Sequence, residues 1–248
     1  MIRAHLGEAI DIHGGGRDLI FPHHENERAQ SCCAYGDDFV RYWIHNAFID
    51  MDGEKMSKSL GNVRTVRELL KRFPGEVLRF ALLSAHYRSA LNFSGDLLTN
   101  ARGTLDAFYG ALRRHRDVEP AALAVADSRV LVALLDDMNT PEAVAALHAA
   151  TSTLNKSDDP KEIAIAKAEL IVGGGLLGLL QADPEDWFTG SMGEGGATAE
   201  EIDGLIEERI AAKSNRDFQR ADEIRDDLEA RGVVLEDGPD GTQWRRRG

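Results

Sequence analysis

Cysteine is scarce in this sequence: there are two in 248 residues, Cys32 and Cys33, and they are adjacent. Such a pair can neither frame a disulfide scaffold nor make a two-cysteine zinc knuckle by itself. It fits reducing surroundings, with at least one thiol packed as a small hydrophobe on a helix. Apolar runs of membrane-spanning length are missing, and the N-terminus lacks a basic segment followed by an apolar stretch. Together these absences point to a cytoplasmic protein with no membrane partner. Positive charge is also in deficit, the formal net charge being -13. Residues 1–115 are close to neutral, whereas acids outnumber bases two to one in residues 116–248. A nucleic-acid binder usually presents a basic face. Here any such contact must rest on local patches such as Arg113, Arg114, His115 and Arg116, or Arg245, Arg246 and Arg247.

What remains is the composition of a soluble globular protein, 43% hydrophobic and 29% charged, long enough for one large or two to three small domains. The pattern along the chain is α/β first and mostly α afterwards. A short strand over 9–13 runs into Gly14–Gly16 as a strand-to-loop junction. Pro22 suits the first turn of a helix over 22–35, and a second strand covers 43–50 before a glycine turn. Helices follow over 94–116, 128–138, 141–156 and 160–181, the third starting at Thr140-Pro141-Glu142. Gly173–Gly175, inside the last of these, reads as a helix break. The segment 183–197, rich in Gly, Asp, Ser and Pro, reads as a linker. The tail gives two charged helices, 198–212 and 216–231, and a hairpin around Gly238–Gly241. The expected organisation is therefore 1–64, 65–182, a linker at 183–197, and 198–248.

Three segments carry chemistry. In Gly53–Asn62, GEKMSKSLGN, the lysines Lys55 and Lys58 are interleaved with Ser57 and Ser59 and flanked by glycines. Two ammoniums and two hydroxyls on a tight loop suit a triphosphate, although a solvated basic turn has the same composition. In Phe21–Glu27, His23 and Glu27 are four residues apart on the predicted helix, so imidazole and carboxylate share a face and can grip one metal ion such as zinc. A surface hydrogen bond or ion pair is the alternative. Asp18 follows three glycines and can accept hydrogen bonds from ribose hydroxyls, while Gly15 and Gly16 permit close approach of a nucleotide; an ordinary tight turn looks the same. His13 is either a site residue or a histidine satisfied at the strand end.

Taken together, DIHGGGRDLIFPHHENE at 11–27, GEKMSKSLGN at 53–62, HYRSALNFS at 86–94, DDMNTPEA at 136–143 and VLEDGPDGTQWRR at 234–246 resemble the bacterial cysteinyl-tRNA synthetases, class I aminoacyl-tRNA synthetases, over essentially the whole chain. The resemblance implies the second half of a Rossmann-like catalytic domain with its KMSKS loop at 1–64, a stem-contact and tRNA-binding helical bundle at 65–182, and an anticodon-side domain at 198–248. It implies ATP-dependent activation of cysteine and transfer to tRNA-Cys, with ATP and its magnesium as substrate. His23 and Glu27 match two zinc ligands of the family, and the zinc recognises the substrate thiolate, a soft ligand that a serine hydroxyl replaces poorly. Lys58, with Lys55, matches the lysines that offset charge on the triphosphate as pyrophosphate leaves.

The pattern is also incomplete. The resemblance calls for a HIGH-type ATP motif and two further zinc cysteines upstream; no HIGH-like string occurs in the chain, and Cys32 and Cys33 do not match the cysteine positions. The chain is therefore expected to be a C-terminal portion, truncated or working with a separately encoded N-terminal half, that binds zinc poorly and is inactive alone. Two alternatives stay open. One is a non-catalytic tRNA-binding or regulatory remnant. The other is the related ligase joining cysteine to an amino sugar, against which Glu27 and the 198–247 tail argue.

Overall fold

A computed structural model describes residues 2–36, 39–51, 54–55, 65–189, 199–215, 217–238 and 241–246. The chain opens with a short helix α1 (Ile2–Leu6) and strand β1 (Ile10–Gly16), followed by helix α2 (Glu25–Tyr35) and strand β2 (Val40–Asn46). Strands β1 and β2 pair in parallel, with Ile12 opposite Tyr42, His13 opposite Trp43 and Gly15 opposite His45. All three glycines therefore belong to the strand and not to a loop after it. Pro22 does not open the helix either. It lies in an irregular turn, Ile20–His24, because the residue before a proline is pushed out of the helical region; Phe21 is extended, at φ -137 and ψ 134. The helix proper begins three residues later than its pattern suggests.

The strand expected over 43–50 is two strands. After β2 the chain turns at Ala47 and Phe48, whose backbones bond to Tyr87 and Leu91, and β3 (Ile49–Met51) joins a different sheet. There it pairs antiparallel with β4 (Glu54–Lys55) and parallel with β5 (Leu91–Phe93). That sheet thus draws in residues 91–93, from the stretch assigned by sequence to the helical region.

The helical part runs through α3 (Val66–Leu69), α4 (Gly75–Leu83), α5 (Gly95–Arg114), α6 (Arg129–Leu135), α7 (Thr140–Lys156) and α8 (Pro160–Leu177). Helices α5 to α8 each start on a side-chain cap that meets an orphan backbone N–H: Ser94 accepts from Leu97, Ser128 from Val130, Asn139 from Glu142 and Asp159 from Lys161. One core joins them, with Leu98, Leu105, Phe108, Tyr109, Leu147, Leu154 and Leu170 almost fully buried.

Gly173–Gly175 do not break α8. A Cβ on Gly173 would lie 2.5 Å from Val130 Cγ2 and one on Gly174 2.9 Å from Leu180, so these glycines let neighbouring segments approach the helix closely. The helix ends instead at Gly178, whose φ of +65 is the left-handed conformation of a C-terminal cap. Nor is residues 183–197 wholly a linker. Helix α9 (Pro184–Thr189) lies against α5: Trp187 stacks on Tyr109 at 4.4 Å between ring centres, Arg102 lies 4.5 Å from the Trp187 ring centre, and the indole N–H donates to Asp106 at 2.7 Å. Tyr109 in turn donates to Glu76 at 2.9 Å and accepts from the Ala182 amide. The tail forms α10 (Ala199–Ser214), α11 (Phe218–Ala230) and the hairpin β6 (Val233–Gly238) and β7 (Gly241–Arg246), closed over Ile202, Ile206, Ile224, Leu228, Val233 and Trp244. Among the described residues no helix is long and apolar enough to cross a membrane.

Candidate metal and nucleotide site

Side chains of register partners in a parallel pair project from the same face, and residues two apart share it. On one face of β1 and β2 the pairing therefore sets His13 beside Trp43 and the Gly15 position beside His45. Gly15 has no side chain, and the vacant place is filled by the His24 ring: a Cβ on Gly15 would lie 2.7 Å from His24 Cε1. His24 thereby touches the others, with ring centres 4.6 Å from His13, 5.1 Å from Trp43 and 5.0 Å from His45. Its Nδ1 lies 2.8 Å from His45 Nε2, one hydrogen bond between two imidazoles. Burial lowers the pKa of His24 from its ordinary value, and the neighbouring His13 and His45 lower it further.

Glu27, in the first turn of α2, turns its carboxylate into this cluster. Its Oε2 lies 3.3 Å from His13 Nε2 and its Oε1 lies 3.4 Å from His23 Nε2, across one helical turn. Donor atoms of His13, His24 and Glu27 all fall within 4.8 Å of one another. Oε2 of Glu27 is buried and lacks a hydrogen-bond donor, a costly state for a carboxylate oxygen unless a ligand completes it. Imidazole nitrogens converging with a carboxylate oxygen suit zinc, so the residues present fit the ion.

Of the residues singled out by sequence, His23 and Glu27 do meet, but His23 is largely exposed, its side chain 60% accessible. His13 is part of the cluster. Asp18 is exposed in a 3-10 turn over Arg17–Leu19 and folds back toward the strand, a Cβ on Gly16 coming 2.5 Å from its Oδ1. The space at Gly15 and Gly16 is thus taken by the chain's own His24 and Asp18. Lys55 is described as backbone in β4, while Ser57, Lys58 and Ser59 lie outside the described residues. Sequence reasoning did not single out His24, Trp43 and His45. The signal was the alternation of Trp43 and His45 along one strand face, which acquires meaning only with the register that sets them beside His13 and Gly15.

The chain matches three family models. Residues 1–103 match the tRNA synthetases class I (C) catalytic domain, residues 129–181 the DALR domain, and residues 196–245 the cysteinyl-tRNA ligase anticodon binding domain. Two similar curated relatives are cysteine–tRNA ligases. That of Saccharophagus degradans is 54% identical over 99% of this chain and 54% of its own length; that of Paramagnetospirillum magneticum is 50% identical over 98% and 53%. The chain spans about half the length of these relatives. Among solved structures, LeuRS in an Agrobacterium radiobacter K84 LeuRS–tRNA–LeuAMS ternary complex shares the fold over 70% of this chain and 28% of that one, with a TM-score of 0.53 at 17% identity.

Proposed function

The chain belongs to the cysteine–tRNA ligase family, and from that premise we propose that it serves the ATP-dependent joining of cysteine to tRNA-Cys. In this reading residues 1–64 supply the second half of the catalytic sheet, 65–182 the helical bundle and 198–248 the anticodon-side domain. The observation that carries the reading is the half-buried Glu27 carboxylate, its buried Oε2 without a hydrogen-bond donor, set among His13, His23 and His24 over one face of two parallel strands.

Residues His23 and Glu27 would hold zinc, with His13 beside the carboxylate and the His24–His45 pair behind it. A zinc ion there supplies a soft acceptor for the cysteine thiolate, which separates cysteine from serine. Asp18 is available to ribose hydroxyls, and Lys55 and Lys58 supply positive charge to the triphosphate as pyrophosphate departs. In the tail, Phe218 at the start of α11 is 63% exposed, which suits stacking on an unpaired base of the tRNA. The match of residues 196–245 to an anticodon-binding model speaks against a cysteine to amino-sugar ligase.

Two of the zinc ligands and one of the ATP motifs that the resemblance calls for are not found in this sequence, so we infer that the 248-residue chain does not activate cysteine alone. The test is cysteine-dependent ATP–pyrophosphate exchange, with zinc stoichiometry, on the chain alone and with a HIGH-containing N-terminal portion of a family member added in trans. Exchange only in the mixture supports the reading. Exchange by the chain alone overturns the need for a second portion, and tRNA binding without exchange in either arm favours a non-catalytic remnant.

A further inference from the structure

The C-terminal end of α5 and the residues after it carry three arginines, Arg113, Arg114 and Arg116, in a chain whose net charge is -13, and the structure uses its cations unequally. Arg114 reaches across to Asn155. Lys167, on α8, is buried, and its ammonium donates to the carbonyls of His115, Arg116 and Val118 at 3.0, 3.2 and 2.6 Å. All three ammonium donors are thus used at a helix terminus, where they oppose the negative end of the helix dipole. Arg113 donates through Nε and Nη2 to Glu185 of α9, the first at 2.9 Å. Arg116 stays 67% exposed and lies 3.6 Å from the same carboxylate.

Between these groups lies a cavity of about 400 Å³ with an apolar wall of Leu112, Ile171, Leu180 and Pro184 and a rim of Arg113, Arg116 and Glu185. Two guanidiniums share one carboxylate at that rim, and the remaining acid on the wall, Asp183, accepts from the Glu185 amide. With Lys167 counted, three cations face two acids, a local excess of positive charge on an acidic molecule. Guanidinium beside an apolar wall is the chemistry that takes a phosphate together with the nonpolar part of the group bearing it.

We propose that this cavity is a phosphate site for a nucleotide of the bound RNA, with Arg116 and the outward edge of Arg113 meeting the phosphodiester and Ile171 and Leu180 receiving its sugar or base. The proposal rests on the tRNA reading above. An RNA strand is favoured over a free nucleotide because Arg116 stands at the exposed rim, where the backbone of a polymer can cross the mouth of the cavity while one of its nucleotides turns in.

The test is binding of transcribed tRNA-Cys to the full chain by fluorescence anisotropy between 50 and 200 mM salt, with AMP and inorganic pyrophosphate titrated as separate probes. Arg116→Gln is expected to weaken tRNA binding roughly 3- to 10-fold and to lower the slope of log K against log salt by about one. Arg114→Gln, at the same helix end but bonded to Asn155, should leave that slope within error. Glu185→Gln, which frees both rim guanidiniums, should tighten binding. If wild-type chain does not bind tRNA, the RNA reading fails and the proposal with it. If wild type binds but Arg116→Gln and Arg114→Gln behave alike, the cavity proposal alone is overturned, and saturable AMP or pyrophosphate binding lost in Arg116→Gln while tRNA binding is unchanged would overturn RNA as the ligand.

Discussion

Asp137 shows how much one exposed carboxylate can organise. It accepts from Tyr87 at 2.7 Å and from Arg88 at 2.7 and 3.1 Å, while His86 lies 3.0 Å from its backbone carbonyl. These contacts tie the loop before β5 to the turn between α6 and α7. In that turn Asp137 and Met138 hold φ values of +51 and +54 without being glycines, a conformation that costs energy and persists where surrounding contacts impose it. The bonds from Arg88, then that from Tyr87, hold the Asp137 carboxyl at about 2, below its ordinary 3.8. A carboxylate with a depressed folded pKa contributes stability that is complete above the ordinary value and is lost as pH falls through the folded one. The wild-type chain is therefore expected to lose stability between pH 4 and 2 partly through this group. Asp137→Asn should lower stability at pH 7 and flatten the profile over that window, measured by urea denaturation at each pH; parallel profiles for the two proteins would remove Asp137 from the account. HYRS and DDMNT stood out in sequence as strings of the resemblance. Their meeting across about 50 residues was not legible there, because it depends on how the helices pack.

Helix existence was legible at the scale of elements, and helix edges were less so. The bundle helices follow their apolar spacing, and their caps are the Ser, Asn and Asp residues that begin them. Several of the errors share one cause, the reading of Gly and Pro as punctuation before packing is known. Gly14–Gly16 sit in a strand, where the His24 ring takes the side-chain place of Gly15 and the Asp18 carboxylate that of Gly16. Gly173–Gly175 sit in α8 although glycine costs a helix about 1 kcal/mol relative to alanine, because Val130, Leu147 and Leu180 press against the first two. Within that run the three glycines are not equivalent. On Gly173 a Cβ would lie 2.5 Å from Val130 Cγ2, whereas on exposed Gly175 its nearest neighbour is Gln181 Nε2 at 3.9 Å. Gly173→Ala should therefore destabilise the chain by about 1–3 kcal/mol through overpacking, while Gly175→Ala should stabilise it by about 0.5–1 kcal/mol through backbone entropy. Urea midpoints of the two variants decide it. Destabilisation by both would mean that the run serves the helix in some way other than close packing.

For the whole molecule, the two faces of the β1–β2 pair have opposite fates. The face carrying His13, Trp43 and His45 is covered by the turn and helix that bring His24 and Glu27. On the other face, the register partners Ile12 and Tyr42 are 61% and 67% exposed. A parallel sheet is ordinarily covered on both faces, and two strands are too few to be stable on their own. Apolar side chains side by side on a short sheet thus mark a surface that needs cover, consistent with a chain that spans about half the length of its relatives. The sequence hinted at this only through the incomplete motif set. Which residues lie bare required the register. The chain by itself is expected to self-associate at tens of micromolar and to bind the dye ANS, and Ile12→Thr combined with Tyr42→Thr should shift it toward monomer in sedimentation velocity and reduce the dye signal. Since both side chains are already solvent-facing, the double variant should lose little stability. A wild-type chain that stays monomeric and dark to ANS would show that the bare face needs no partner, and the requirement for a second portion would then rest on the chemistry of the site alone.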